Sequence, residues 1–190
     1  MFRLEAPGVY ALLGPAGAGK STLSTQLGAT KIIHLDDYFI KDSAFRKQLL
    51  KEKEETSWEE YRDACNQMNW WNWEALAMDL HERTERDILL LEGAFIGPDY
   101  IWPLIDKLIF VSIPSWERLA NLAIRDGGKR NGRELAHRFL ITEYSETKHY
   151  RDVLSWFWDN NKLIVINNKG ERLPSMSLDW GDLYLPKKVE

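Results

Sequence analysis

The sequence predicts an α/β domain in which a central, mainly parallel five-stranded sheet lies between two layers of helices. Three observations carry this. Five short apolar runs punctuate the chain, GVYALLG, KIIHLDD, DILLLEG, KLIFVSIP and KLIVINN. They are almost continuously apolar rather than alternating, as strands covered on both faces must be. The segments between them are long enough for the crossover helices that parallel strands require.

Taken in order, the first run covers residues 8–14 and leads into the glycine-rich stretch GPAGAGKST. STLSTQLG after it reads as a short helix that stops at Gly28. The second run ends in HLDDYF. WEALAMDLHERTER keeps apolar residues at helical spacing before the third run. Past the fourth run, Ser115 is placed to cap the helix WERLANLAIRD. Leu135, Phe139, Leu140, Tyr144, Val153, Leu154 and Phe157 give residues 134–160 an irregular helical rhythm, read as one long helix or two. The fifth run follows, and residues from about 171 to 190, with two prolines and little periodicity, read as a surface tail. Without a repeat or a dividing linker, residues 1–190 read as a single domain.

Composition narrows the function classes. At 190 residues with 44% hydrophobic and 28% charged side chains, the chain has enough apolar material for a substantial core. The formal net charge of −4 provides no global basic field, so nucleic acid is not the expected partner. The single cysteine, Cys65, forms no internal disulfide, which fits a reducing compartment. No apolar run approaches the roughly 20 residues of a membrane span, and the expected location is the cytoplasm, away from any membrane. Nine tryptophans are the compositional oddity.

The spacing Gly14-x4-Gly19-Lys20-Ser21 satisfies the phosphate-binding pattern G-x-x-x-x-G-K-[ST], in the required context of strand before and helix after. Glycines let the chain curl so that successive N–H groups converge on an anion. Gly14, Ala16, Gly17, Ala18, Gly19, Lys20, Ser21 and Thr22 are the candidate nucleotide-binding residues. Lys20 is placed to reach the terminal phosphates, and Ser21 to hold magnesium. ATP and Mg2+ are therefore expected, on a three-layer P-loop NTPase fold.

Two carboxylates are expected at the carboxyl edge of the sheet, where open α/β folds gather their ligand-contacting groups. Asp36 in HLDDYF is the candidate base for an attacking hydroxyl. Glu92 in LLLEG is the candidate partner of the metal, with Ser21. The segment IRDGGKRNGRE, with Arg125, Lys129, Arg130 and Arg133 around Gly127 and Gly128, reads as an Arg-rich lid over about 126–133. His34, inside an apolar strand, is read as a core histidine outside the mechanism.

GPAGAGKST, HLDDYF, LLLEG with the following apolar strand and IP, and RLANLAIRDGGKRNGRELAHRF together resemble the uridine kinases and nicotinamide riboside kinases, within the P-loop nucleoside kinase and phosphoribulokinase group. The resemblance implies transfer of the ATP γ-phosphate to a primary hydroxyl, usually of a ribonucleoside. It also implies roles. Asp36 matches the catalytic carboxylate, Glu92 the metal-associated acid, and Arg125 and Arg130 the lid arginines. Arg133 matches a residue near the acceptor. The chain departs from the family where Asn121 and Leu122 replace adjacent arginines, where Asn131 interrupts Arg-Gly-Arg, and where QMNWWNWEALAMD stands in the acceptor stretch without its usual aspartate.

Lys20, Asp36, Glu92, Arg125 and Arg130 are thus the catalytic candidates, and Asp36, Tyr38, Trp71, Asn72 and Arg133 the acceptor-binding ones. Trp70, Trp71 and Trp73 leave three roles open: core packing, stacking on a planar acceptor, and a partner surface. Two rival functions also stand. NNKGE, Asn167 to Glu171, nearly matches the guanine-reading Asn-Lys-x-Asp of regulatory GTPases, and a kinase acting on a nucleic-acid hydroxyl could use the tryptophans to stack bases. The expected partner is a small hydroxylated acceptor, nucleoside-like, with the oligomeric state open.

Overall fold

The computed structural model describes residues 1–40, 71–125 and 150–174. All five apolar runs are strands: β1 (Gly8–Leu13), β2 (Lys31–His34), β3 (Ile88–Gly93), β4 (Lys107–Ser112) and β5 (Leu163–Asn167). They form one sheet in the order β2-β3-β1-β4-β5, parallel throughout. Sheet direction therefore reverses its build-out at β1, and the carboxyl ends of β1, β2 and β3 lie at one edge.

The two-residue period of a strand sorts the side chains onto opposite faces. Val9, Ala11 and Leu13 of β1 join Leu89 and Leu91 of β3 in one buried cluster, with Leu108 and Phe110 of β4. That face is covered by α2 (Trp73–His81), through Trp73, Leu76 and Leu80, and by α4 (residues 150–159), through Val153, Leu154 and Phe157. Tyr10 and Leu12 of β1 join Leu90, Ile109, Val111 and Ile166 on the other face. There Leu23 of α1 (Lys20–Ser24) and the following Leu27 close the second cluster. α3 (Ser115–Arg125) completes the helices among the described residues. Phe110, Phe157 and Leu12 are all but inaccessible, and truncating such a side chain costs about 2–5 kcal/mol.

Three boundaries differ from the sequence expectation, each for a local reason. Ser24 and Thr25 turn their hydroxyls back onto the carbonyls of Ser21 and Thr22, at 3.0 and 2.9 Å, and α1 ends there. The helix expected through Arg86 stops at His81, because Asp87 accepts the Thr84 N–H at 2.9 Å and folds residues 84–87 into a turn. Ser115 is not a cap: it is the first residue of α3, and the Pro114 carbonyl accepts the Arg118 N–H at 3.0 Å. The start of the expected tail also has structure, since Arg172 bridges Ile166 and the Leu173 N–H donates to Val165 at 2.9 Å. Among the described residues, no helix is long and apolar enough to cross a membrane.

Candidate active site

β1 is buried along its whole length and delivers the chain into the loop 14–19 at the sheet edge. A turn closed by Ala18 N–H to the Pro15 carbonyl, at 3.1 Å, starts the curl. Gly17 has φ +87°, and a Cβ there would stand 2.9 Å from the Arg118 carbonyl oxygen and 3.0 Å from Leu122. Both the left-handed backbone and the close approach of α3 demand glycine. Asn121 fastens the same point from outside, its Nδ2 donating to the Gly17 carbonyl at 3.0 Å. Gly19, at φ +84°, has open space beside its Cα. The Lys20 ammonium is buried against its own loop, donating to the carbonyls of Gly14 at 2.7 Å and Pro15 at 3.1 Å.

The acids come from the neighbouring strands. Glu92 shares a face of β3 with Leu90, the face carrying α1, so strand alternation aims its carboxylate at the end of the loop. It is only 11% exposed. Ser21 Oγ donates to Glu92 Oε1 at 3.3 Å, and His34 Nδ1 donates to Oε2 at 2.9 Å. His34 and Glu92 are register partners across β2 and β3, so the contact is a cross-strand pair. Asp36 lies in the 3-10 turn Leu35–Tyr38 that continues β2 and is exposed.

These groups face one open cavity of about 740 Å³, lined by Ala16, Gly17, Gly19, Lys20, Ser21, Thr22, His34, Asp36, Glu92, Gly93, Ala94, Asn121 and Arg125. Its walls suit a magnesium nucleotide on chemical grounds. One end has the glycine loop and a lysine; the other has hydroxyl and carboxylate oxygens, the hard donors magnesium takes. Among the described residues no group of three or more His, Cys, Asp or Glu could hold a metal by itself.

At the level of sequence, no protein family and no curated protein matches the chain. Solved structures do. A fructose transport system kinase from Silicibacter sp. TM1040 superposes with a TM-score of 0.53 at 16% identity, covering 80% of this chain and 87% of its own. The likeness is one of fold. A gluconokinase from Sinorhizobium meliloti 1021 gives a TM-score of 0.48 at 14% identity over 95% of this chain and 91% of its own. A structure from the PezAT chromosomal toxin-antitoxin system of Streptococcus pneumoniae gives 0.47 at 18% identity, over 91% and 72%.

The acceptor candidates divide. Asp36 lines the cavity, whereas Tyr38, Trp71 and Asn72 do not. Tyr38 is half-buried and its hydroxyl donates to Asp79 on α2; burial, with that hydrogen bond and the charges of Asp79 and Asp37, pushes the phenol well up, so it stays a donor. Trp71 stacks on Trp73 with ring centroids 5.5 Å apart and meets Phe39 edge-on at 5.3 Å. Trp73 is itself core, packed against Gly97. Asn72 caps α2, its side chain accepting the Ala75 N–H at 3.0 Å. Trp73 belongs to the buried core, and Trp71 packs against it while staying partly exposed. Arg130, Arg133, Trp70 and the expected lid lie outside the described residues.

Four lining residues, His34, Gly93, Ala94 and Asn121, are outside the expected set, and two of them carry polar side chains. His34 is no core histidine: β2 is the edge strand, and the ring is 52% exposed beside Glu92. Asn121 occupies a position where the family resemblance expects arginine, and only the fold shows what it binds. The NNKGE segment bonds both within itself and to its neighbours: the Asn168 side chain donates to Glu117 on α3. Asn167 Nδ2 donates to Glu171 Oε2 at 2.7 Å, and Asn167 Oδ1 accepts the N–H groups of Lys169 and Glu171 at 3.0 and 2.9 Å. None of its residues lines the cavity.

Proposed function

We propose that the chain is an ATP-dependent kinase that transfers the terminal phosphoryl group to a hydroxyl of a small metabolite, of the nucleoside type that its sequence resemblance implies. One observation carries the reading. Lys20 and Ser21 from the glycine loop, Asp36 from the turn after β2 and Glu92 from β3 all face a single cavity.

Phosphoryl transfer needs little covalent help; positioning and charge stabilisation supply most of the acceleration. The loop 14–19 and Thr22 hold the phosphate tail, and the Lys20 ammonium offsets the charge that develops on the transferred group. Asp36, exposed at the cavity wall, orients the acceptor hydroxyl and takes its proton. Ser21 and Glu92 are the residues that would hold magnesium, which supplies charge neutralisation at the phosphate oxygens. Arg125 at the end of α3 faces the same space, and Arg130 and Arg133 follow it in sequence as the further cations assigned to the phosphates and the acceptor.

A panel of ribonucleosides, nicotinamide riboside, hexoses, gluconate and an oligonucleotide, assayed by ADP release with ATP and separately with GTP, tests this. ATP-dependent turnover of a nucleoside is the expected result. Turnover confined to the sugars would keep the kinase and replace the acceptor class, and labelling of the oligonucleotide alone would replace it with nucleic acid. No phosphoryl transfer to any alcohol, with the protein folded and nucleotide-bound, would overturn the reading.

A further inference from the structure

Glu92 is an almost fully covered carboxylate, and a carboxylate in that position needs hydrogen-bond donors. Two described side chains provide them, one to each oxygen: Ser21 Oγ to Oε1 at 3.3 Å and His34 Nδ1 to Oε2 at 2.9 Å. We propose that His34 is a positioning residue for divalent-cation binding, acting through Glu92 on Ser21. This rests on the kinase reading of the site.

A carboxylate only accepts, so the proton of the contact sits on Nδ1 of His34. With Oε2 anchored from the edge strand, the carboxylate plane is fixed and Oε1 stays turned toward Ser21. The Ser21 hydroxyl has one proton and two lone pairs; donating the proton to Oε1 leaves the lone pairs for a hard cation in the cavity. Without His34 the carboxylate is free to rotate, and it loses the orientation that fixes the serine. Partners that orient a ligand in this way typically contribute 10–100-fold in metal affinity. A purely structural explanation is weak here. The ring is 52% exposed, so its removal opens no internal cavity.

The test is Mn2+ binding by electron paramagnetic resonance to the full chain with a non-hydrolysable ATP analogue, for the wild type, His34→Ala and His34→Asn. The alanine variant is expected to bind the cation about tenfold more weakly, while metal-free nucleotide affinity and thermal unfolding change little. The asparagine variant, whose Nδ2 falls near the place of the histidine Nδ1, is expected to recover most of that loss. Wild-type cation affinity in His34→Ala, or equal impairment of both variants, would overturn the inference and leave the kinase reading standing. No cation uptake by the wild type with nucleotide would overturn the two together.

Discussion

The two ends of the cavity are built differently. At the phosphate end, Gly14 to Thr22 form one uninterrupted segment, and its main determinants are backbone conformations: a left-handed Gly17, a left-handed Gly19 and a lysine folded onto its own carbonyls. At the end proposed for the acceptor, the turn carrying Asp36 is held by residues far away in sequence. Tyr38 donates to Asp79, its carbonyl accepts the Asn72 N–H at 2.8 Å, and Phe39 pairs with Trp71 in an isolated antiparallel bridge. A short motif supplies most of the first end, and α3 pins it at Gly17. The second exists only once α2 has docked.

The largest expected effect separates the two ends by function. Asp36→Asn preserves the turn's shape and removes the proposed base, so turnover should fall by roughly 10²–10⁴-fold, the usual range for a general base, with nucleotide affinity unchanged. Isothermal titration of the nucleotide beside a steady-state assay reads both. Wild-type turnover in this variant would remove Asp36 from the mechanism and, with it, the assignment of that end to the acceptor.

Gly17→Ala strikes the other end. The new Cβ meets the Arg118 carbonyl at 2.9 Å in a backbone conformation unfavourable to alanine, so about 1–3 kcal/mol of strain is expected. α3 or the loop must shift to relieve it, and the Asn121 clamp on the Gly17 carbonyl is the contact at risk. Weaker nucleotide binding together with a lower unfolding midpoint is the expected pair of results, by calorimetry and thermal denaturation. Loss of neither would show that the loop is not pinned by α3.

The same contrast sets what was legible in the sequence. The five strands and the loop announce themselves, because a buried parallel strand is a continuous apolar run and a phosphate loop has fixed residue types at fixed spacing. Asp36 and Glu92 follow, Asp36 two residues beyond the end of β2 and Glu92 next to the last residue of β3. Tyr38, Trp71 and Asn72 are harder. Their residue types suit an acceptor pocket as well as a helix start, and their packing beside the turn depends on the docking of α2. His34 was hidden by its neighbours: Ile32, Ile33 and Leu35 look like core, but the strand order that makes β2 an edge is a long-range property absent from any local window. Asn121 was similarly opaque, its partner Gly17 lying 104 residues away.

The smallest effect gives the finest test of how the acceptor end is held. Asn72 contributes two things: its side chain caps α2 by accepting from Ala75, and its backbone N–H ties the helix start to the Tyr38 carbonyl. Asn72→Ala removes the first and keeps the second. The expected cost is about 1 kcal/mol of stability, the usual worth of such a cap, and hence roughly a 2–4 °C fall in unfolding temperature for a chain of this size. Turnover at saturating acceptor should stay near the wild-type value, because the tie that positions the Asp36 turn is a main-chain bond. A raised KM for the acceptor with an unchanged unfolding temperature would instead mean that the amide grips the acceptor, and the helix start would then belong to the cavity wall.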